Sequence, residues 1–250
     1  MQARVAQSER LASIGVLAAG VAHEINNPLG GILALTSLAL EDLPADDPGR
    51  ENLQEVVRQT RRCSEIVRHL LEFSRQHAVS AEEVDVNRLL EKTLGLLERQ
   101  SIFHNVRVER ELAAELPRVL ADPSQLQQVF MNILMNAVQA MDERGALTLG
   151  SHHDAARGEV VLTFRDTGCG IPADRIDRIF DPFFTTNRGG QGTGLGLSIA
   201  YGIVTRHHGT IAVESREGAG TTFTIRLPVE ARFEAQAPVL APEPASAAVG

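Results

Sequence analysis

Four stretches carry side chains whose types and spacing suit chemistry. The first is Leu17-Ala-Ala-Gly-Val-Ala-His23-Glu24-Ile-Asn-Asn27-Pro28-Leu29. An imidazole here can serve as nucleophile or base, with a carboxylate beside it in sequence and Asn27 one helical turn further along the same face. A solvated surface histidine is the bland alternative. Pro28 falls inside the helical pattern, where it cannot donate to the carbonyl of Glu24. A zinc-protease helix needs His-Glu-x-x-His, and Asn27 stands where the second ligand would be.

The second stretch is a row of amides: Gln125, Gln128, Asn132, Asn136 and Gln139, opposite an apolar face of Leu126, Phe130, Ile133, Leu134, Ala137 and Met141. Asparagine is a poor helix former, so two of them a turn apart cost stability. The row reads either as a solvated face or as neutral carbonyl oxygens, one of which can complete a Mg²⁺ shell otherwise made of phosphates and water. The third stretch, Asp166-Thr-Gly168-Cys-Gly170, ends an alternating strand. A carboxylate there can accept from an exocyclic amine, and glycines let backbone approach a flat ring; a plain strand-to-loop turn is the alternative. The fourth, Gly192-Thr193-Gly194-Leu195-Gly196, opens a helix and offers free amides to a phosphate. It is not a dinucleotide fingerprint, because Leu197 follows Gly196 and no strand leads directly into it. Between the third and fourth lies Phe180-Asp-Pro-Phe-Phe184-Thr-Thr-Asn-Arg188-Gly-Gly-Gln, whose aromatics can anchor a loop that Gly189 and Gly190 make flexible.

These residues need elements to hold them. Leu11, Ile14, Ala18, Val21, Ile25, Pro28, Ile32, Leu35 and Ala39 step by three and four, which predicts one helix from about Arg4 to Leu40. With Val21 at d and Ile25 at a, His23 is f and points away from the seam. Breakers at Pro44-Ala-Asp-Asp-Pro48-Gly49 stop it. Leu53, Val56, Thr60, Cys63, Val67, Leu70 and Ser74 then repeat the seam on a second helix. Two such hairpins bury both faces as a four-helix bundle, so a homodimer is expected. Beyond residue 80 the pattern predicts a short strand at Val84-Asp-Val86, a helix capped by Asn87 and a strand at 106–110. A helix opened by Asp122-Pro123 runs to Met141 and is ended by Gly145. Strands near 146–151 and 159–165, a helix over 197–207 and a closing hairpin of 210–214 with 221–227 complete a two-layer α/β sandwich. After Pro228 the chain turns Ala-, Pro- and Glu-rich and reads as linker or disorder. The expected division is 1–79, 80–230 and 231–250.

Composition narrows the function. The formal charge of −8 argues against a general nucleic-acid binder. Cys63 and Cys169 are the two cysteines and form no framework, which suggests a reducing compartment, the cytoplasm. The one lysine, Lys92, has no glycine-rich setting, so a Walker loop is ruled out. A leader peptide over 14–22 is disfavoured by Glu9 and by the seam continuing past the cut, and no stretch approaches a membrane span.

Together and in order, the motifs resemble the transmitter of two-component sensor histidine kinases over residues 10–228. The His23 segment is similar to the family's H box, Asn132–Asn136 to its N box, Asp166–Gly170 to its G1 box, Phe180–Phe184 to its F box and Gly192–Leu197 to its G2 box. His-Glu-Ile-Asn-Asn-Pro-Leu followed later by Phe-Phe-Thr-Thr resembles the nitrogen-regulator-like branch. The resemblance implies a dimerisation and phosphotransfer hairpin, then an ATP-binding domain of the fold shared with gyrase, Hsp90 and MutL. It implies that His23 is the phosphoaccepting nucleophile, that Glu24 orients or deprotonates it, and that Asn27 positions water for dephosphorylating a partner. It further implies that Asn136 ligates Mg²⁺, that Asn132 supports the phosphate and metal shell, and that Asp166 recognises adenine. Gly168, Gly170, Arg188, Gly192, Thr193, Gly194, Leu195, Gly196 and Thr221 are implied to line the ATP site. The implied partner is the receiver domain of a response regulator. Asn187 departs from the branch's usual lysine after Thr-Thr, with Arg188 beside it, and Gln139 stands where some relatives carry a basic residue. Two other functions compete. A conformational ATPase clamp would place glutamate at Asn132 as its base and would lack the histidine hairpin. A catalytically silent nucleotide-binding scaffold is opposed by the intact His23, Asn136, Asp166 and glycines.

Overall fold

The computed structural model describes residues 25–44, 46–74, 80–99, 103–185 and 193–230, with the side chains of 46–74 described through Ser64 and at Val67. The helix start expected near Arg4, the tail from 231, and among the implied site residues His23, Glu24, Arg188 and Gly192 lie outside the described residues.

The seam periodicity becomes two helices, α1 over 25–42 and α2 over Gly49–Ser74. Their loop is held from both sides. Arg50, in the first turn of α2, donates through Nη1 to Leu40 O (2.8 Å) and Leu43 O (3.0 Å), so a cation meets the carbonyl end of α1. Asp47 Oδ1 accepts from Gly49 N at 2.7 Å as α2 opens. Thr36 and Thr60 are buried and return their hydroxyls to Ile32 O and Val56 O. Ile25, Ile32, Leu35, Leu38 and Val56 remain exposed, Leu35 by 71%.

The second part opens with β1 (Glu82–Val84) and α3 (Val86–Leu97). Then come β2 (Asn105–Leu112), β3 (Val119–Ala121) and α4 (Pro123–Ala140). They are followed by β4 (Arg144–Asp154), β5 (Glu159–Asp166), a 3-10 turn (Ile176–Arg178), α5 (Gly196–Arg206), β6 (Thr210–Ser215) and β7 (Thr221–Pro228). The five-stranded sheet has order β2-β4-β5-β7-β6, with β2 parallel to β4 and the other pairs antiparallel; β1 and β3 form a separate antiparallel pair. Helices α3, α4 and α5 supply Leu90, Leu94, Leu126, Phe130, Ile133 and Ile203 to a core completed by Leu147, Leu149, Leu162, Phe164 and Ile225 of the sheet. The rings of Phe130 and Phe164 lie 5.9 Å apart across the two layers.

Three expectations need correction. The strand expected at Val84-Asp-Val86 lies at Glu82–Val84, because Asp85 caps α3 and Val86 is its first residue. The cap of α3 is Asp85, whose carboxylate accepts from Arg88 N at 3.0 Å, while the amide of Asn87 donates to Ala113 O at 2.8 Å. A carboxylate one residue before the helix outcompetes an amide already inside it. Nor does Gly145 end α4. Asp142 and Glu143 take left-handed φ of 51° and 59° and turn the chain, and Gly145 is already in β4.

Candidate nucleotide site

The site is built on β5. Strand alternation puts Val160, Leu162, Phe164 and Asp166 on one face, so the pattern that buries three apolar side chains also carries the Asp166 carboxyl to the rim of the core. Register aligns three strand ends there: Asp166 pairs with Thr221, the first residue of β7, and Thr221 with Ser215, the last of β6. Asp166 is 3% exposed. Its Oδ1 accepts from Gly168 N (2.8 Å) and Thr221 N (3.2 Å), and among the described residues nothing bonds Oδ2. Burial pushes its pKa up, with the two N–H donors pulling against that shift. The product is a fixed, poorly hydrated acceptor.

Helix α4 begins at a strong cap. Asp122 Oδ1 accepts from Ser124 N (2.9 Å) and Gln125 N (3.1 Å), with Pro123 in the first turn. Four-residue spacing puts Asn132 and Asn136 on one side of α4, both half-buried. Asn132 Nδ2 donates to Gly196 O at 3.0 Å, which ties the amide row to the start of α5. The Asn136 amide is uncommitted among the described residues. Gln125 is taken up by the Asp122 carboxylate at 3.2 Å, and Gln139 is exposed. Thr193, Gly194 and Leu195 lead into α5; Thr193 Oγ1 accepts from Leu195 N at 3.3 Å, and no described side chain caps the amides that follow. Gly194 has φ of +68°, and a Cβ there would lie 2.5 Å from the Phe183 carbonyl carbon, so only glycine fits. The aromatic stretch is anchored beside α5, with Phe180 5.3 Å from Tyr201 and the Arg178 guanidinium 4.8 Å over Phe184.

Two of the expected groups are thus brought together, Asp166 with Gly168 and Thr221 where β5 meets β7, and Asn132 with Gly196 where α4 meets α5. Gly168 in turn packs against Ala140 at the end of α4, while Asn136, Gly170, Thr193, Gly194 and Leu195 lie on the same elements or the turns that join them. Asn27 stands apart, exposed on α1. Sequence reasoning missed two residues in the second part. His207 is 1% exposed, and its Nε2 accepts from Asp122 N at 3.0 Å; Nδ1, 2.8 Å from Ile203 O, must then carry the proton. Helix α5 is thus clamped to α4 at both of its own ends, by Asn132 with Gly196 and by Asp122 with His207. Burial lowers the His207 pKa. Gly220, with φ of +84°, brings its Cα against Asp166 O. The paired glycines Gly218 and Gly220 between two alternating runs were the available signal for the latter. The bond from Asp122 to His207 spans too much sequence to have left one.

Glycine turns at the end of β5 and the start of α5 in an α/β sandwich, preceded by a long helical pair, are the two-part arrangement of a helical hairpin joined to an ATPase-like domain. Residues 13–78 match the family model of the His Kinase A (phospho-acceptor) domain, and residues 121–231 match that of the histidine kinase-, DNA gyrase B- and HSP90-like ATPases. The chain is 37% identical over 229 residues to the sensor histidine kinase ZraS of Escherichia coli (strain K12), covering 92% of this chain and 48% of that protein. The catalytic domain of histidine kinase ThkA is 34% identical, with a TM-score of 0.54 over 60% of this chain and 96% of that one. ThkA in complex with the response regulator protein TrrA is 30% identical, with a TM-score of 0.66 over 89% of this chain and 64% of that one. The chain belongs to the two-component sensor histidine kinase family. It spans about half the length, or less, of the curated relatives it matches.

Proposed function

We propose that the chain is an ATP-dependent protein-histidine kinase that phosphorylates His23 and passes the phosphoryl group to an aspartate of a response regulator. The observation that carries the nucleotide half is the Asp166 carboxylate, fixed by Gly168 and Thr221 with no described residue bonded to Oδ2, beside the start of α5, where among the described residues only the Leu195 N–H meets a side chain, Thr193 Oγ1. In this reading Oδ2 accepts from the adenine amine. Gly168, Gly170 and Thr221 shape the base pocket, and Thr193, Gly194, Leu195 and Gly196, with Gly192 and Arg188, hold the phosphates. Asn136 is assigned as the protein's Mg²⁺ ligand, with Asn132 as its support. The donor set suits that ion: among the described residues no group of three His, Cys, Asp or Glu could cage a metal, and Mg²⁺ characteristically takes one or two protein oxygens beside phosphates. When bound, the ion neutralises charge on the β- and γ-phosphates.

His23 attacks the γ-phosphorus through a ring nitrogen. An N–P bond forms, the bond to the ADP oxygen breaks, and Glu24 orients the ring or accepts its proton. Asn27 holds water for the reverse duty, hydrolysis of the regulator's acyl phosphate. Asparagine at 132 cannot act as the base of a clamp-type ATPase, which leaves the histidine route. The exposed seam of Ile25, Ile32, Leu35 and Val56 supports a homodimer through the hairpin. The ThkA complex with TrrA supports a receiver domain as partner.

We further infer a division into 1–79, 80–230 and a tail over 231–250, supported by the family match ending at residue 78 and by β1 beginning at Glu82. The nitrogen-regulator-like branch rests on the His23 and Phe183-Phe184 segments. A cytoplasmic place rests on the need for ATP; no described helix is long and apolar enough to cross a membrane. The test is Asp166→Asn. Mg-ATP binding measured by calorimetry should fall by about 10²-fold, as when a buried, charge-assisted acceptor is lost. Unchanged affinity would remove Asp166 from the base pocket.

A further inference from the structure

Ser215, the last residue of β6, has one proton and two lone pairs, and the structure uses all three. Its Oγ donates to Gly220 O at 2.8 Å and accepts from Ile171 N at 2.9 Å. Thr221 Oγ1 lies 2.9 Å from the same oxygen. The serine proton is committed to a carbonyl, which cannot donate, so the Thr221 hydroxyl must be the donor in that contact. One half-buried hydroxyl therefore joins three segments: the far end of the Gly168–Gly170 turn, the end of the β6–β7 connection, and the first residue of β7. Thr221 in turn gives its backbone N–H to Asp166 Oδ1 at 3.2 Å. A parallel backbone bond, Gly218 N to Cys169 O at 2.7 Å, holds the same turn against the same connection but does not reach Thr221.

We propose that Ser215 is a positioning residue for the purine end of the nucleotide, an assignment that rests on the kinase reading above. It touches neither Asp166 nor any reacting atom. It sets the separation between the Gly168–Gly170 turn and β7, and so the place of the Thr221 N–H that fixes Asp166 Oδ1 and aims Oδ2. Without the hydroxyl, the Ile171 N–H and the Thr221 hydroxyl lose their acceptor, and Gly220 O keeps only the long bond from Arg216 N at 3.5 Å. The turn and the strand end can then drift apart. The phosphate end, held by the link from Asn132 to Gly196 on α4 and α5, shares no atom with this hub. The effect should therefore fall on nucleotide binding and leave the chemical step alone.

The experiment measures autophosphorylation of the full chain against Mg-ATP concentration, with thermal melting by circular dichroism for each variant. Ser215→Ala should raise KM for ATP about tenfold while kcat at saturation stays within about twofold, the size expected for lost hydrogen bonds acting through a neighbour. Ser215→Thr, which keeps the hydroxyl, should return KM to within about threefold of the parent. Should Ser215→Ala fail to melt cooperatively, the isosteric Ser215→Cys carries the test, with the same split in KM and kcat. Ser215→Ala, or Ser215→Cys in its place, with parental KM, or with lost kcat at unchanged KM, would overturn the assignment. Failure of the unaltered chain to bind Mg-ATP would instead strike the kinase reading on which it rests.

Discussion

The two described parts of this chain dispose of their apolar residues in opposite ways. In the α/β part, Leu90, Leu94, Phe130, Ile133, Leu162 and Phe164 are sealed from water within one chain. In the hairpin, Leu35 and Ile32 are 71% and 44% exposed although they sit in a helical repeat as regular as any in the molecule. Polar satisfaction follows the same divide. In the α/β part the buried side chains of Asp166, Asp122 and His207 accept from the distant backbone N–H groups of Thr221, Ser80 and Asp122, whereas the buried Thr36 and Thr60 of the hairpin bond only four residues back. The α/β part buries its own apolar residues; the described hairpin leaves an apolar surface uncovered, which the proposed homodimer would bury. A transmitter needs this contrast. A nucleotide site benefits from fixed geometry, while a phosphoacceptor must be offered outward to two different partners in turn.

Substitutions can sharpen or break that contrast, because each should disturb one part and spare the other. The largest effect is expected from Asn136→Ala. Autophosphorylation rate at saturating Mg-ATP should fall by about 10²- to 10³-fold, the scale for loss of a group that stabilises transferring phosphate, with the dimer mass by light scattering unchanged. Ile32→Glu with Leu35→Glu should do the converse. Sedimentation should show dimer dissociation rising by about 10²-fold, while Mg-ATP affinity stays within about twofold. If that pair left the dimer intact, the exposed seam would have to be covered in some other way.

A smaller effect is expected at His207. Its imidazole must stay neutral to accept from Asp122 N, and burial lowers its folded pKa below the unfolded value of about 6.5. The unfolded state then binds more protons at acid pH, so the stabilisation is complete above about pH 6.5 and is lost as pH falls through the folded value. Arg206 and His208 favour the neutral form, and the Asp122 carboxylate opposes them. Urea unfolding of the α/β part should show His207→Gln costing about 1–2 kcal/mol at pH 7.5, with the gap to the parent narrowing towards pH 5. A constant gap would show that the bond does not titrate. The smallest effect on phosphorylation is expected from Asn27→Ala, which should leave autophosphorylation within about twofold while slowing dephosphorylation of the regulator by about tenfold. Equal loss of both activities would reject its role with water.

Much of this was legible before any coordinates, and the reason is locality. Asp122-Pro123 announces α4, alternation in Val160, Leu162 and Phe164 announces β5, and the breakers at 44–49 announce the hairpin loop, each through neighbours in sequence. The candidate site was legible for the same reason, since the amide row and the glycine clusters are each compact motifs. What escaped depends on contacts between distant residues. The parallel pairing of β2 with β4, the short pair of β1 with β3, and the bonds of His207 to Asp122 and Ser215 to Ile171 leave no periodic trace. The misplaced cap at Asn87 has a different cause. Asp85 and Asn87 are both good caps; α3 opens at Val86, so Asp85 holds the cap position and Asn87, inside the helix, donates to Ala113 O instead.

The central claim, that an imidazole on the hairpin receives phosphate from a nucleotide held by the α/β part, is tested most directly by labelling. The chain is incubated with γ-labelled ATP and Mg²⁺, and the label is then challenged with acid and with alkali. The account predicts a phosphoramidate, lost in acid and stable in alkali, present in the parent chain and absent from His23→Ala. An acid-stable label, or any label that survives His23→Ala, would contradict it.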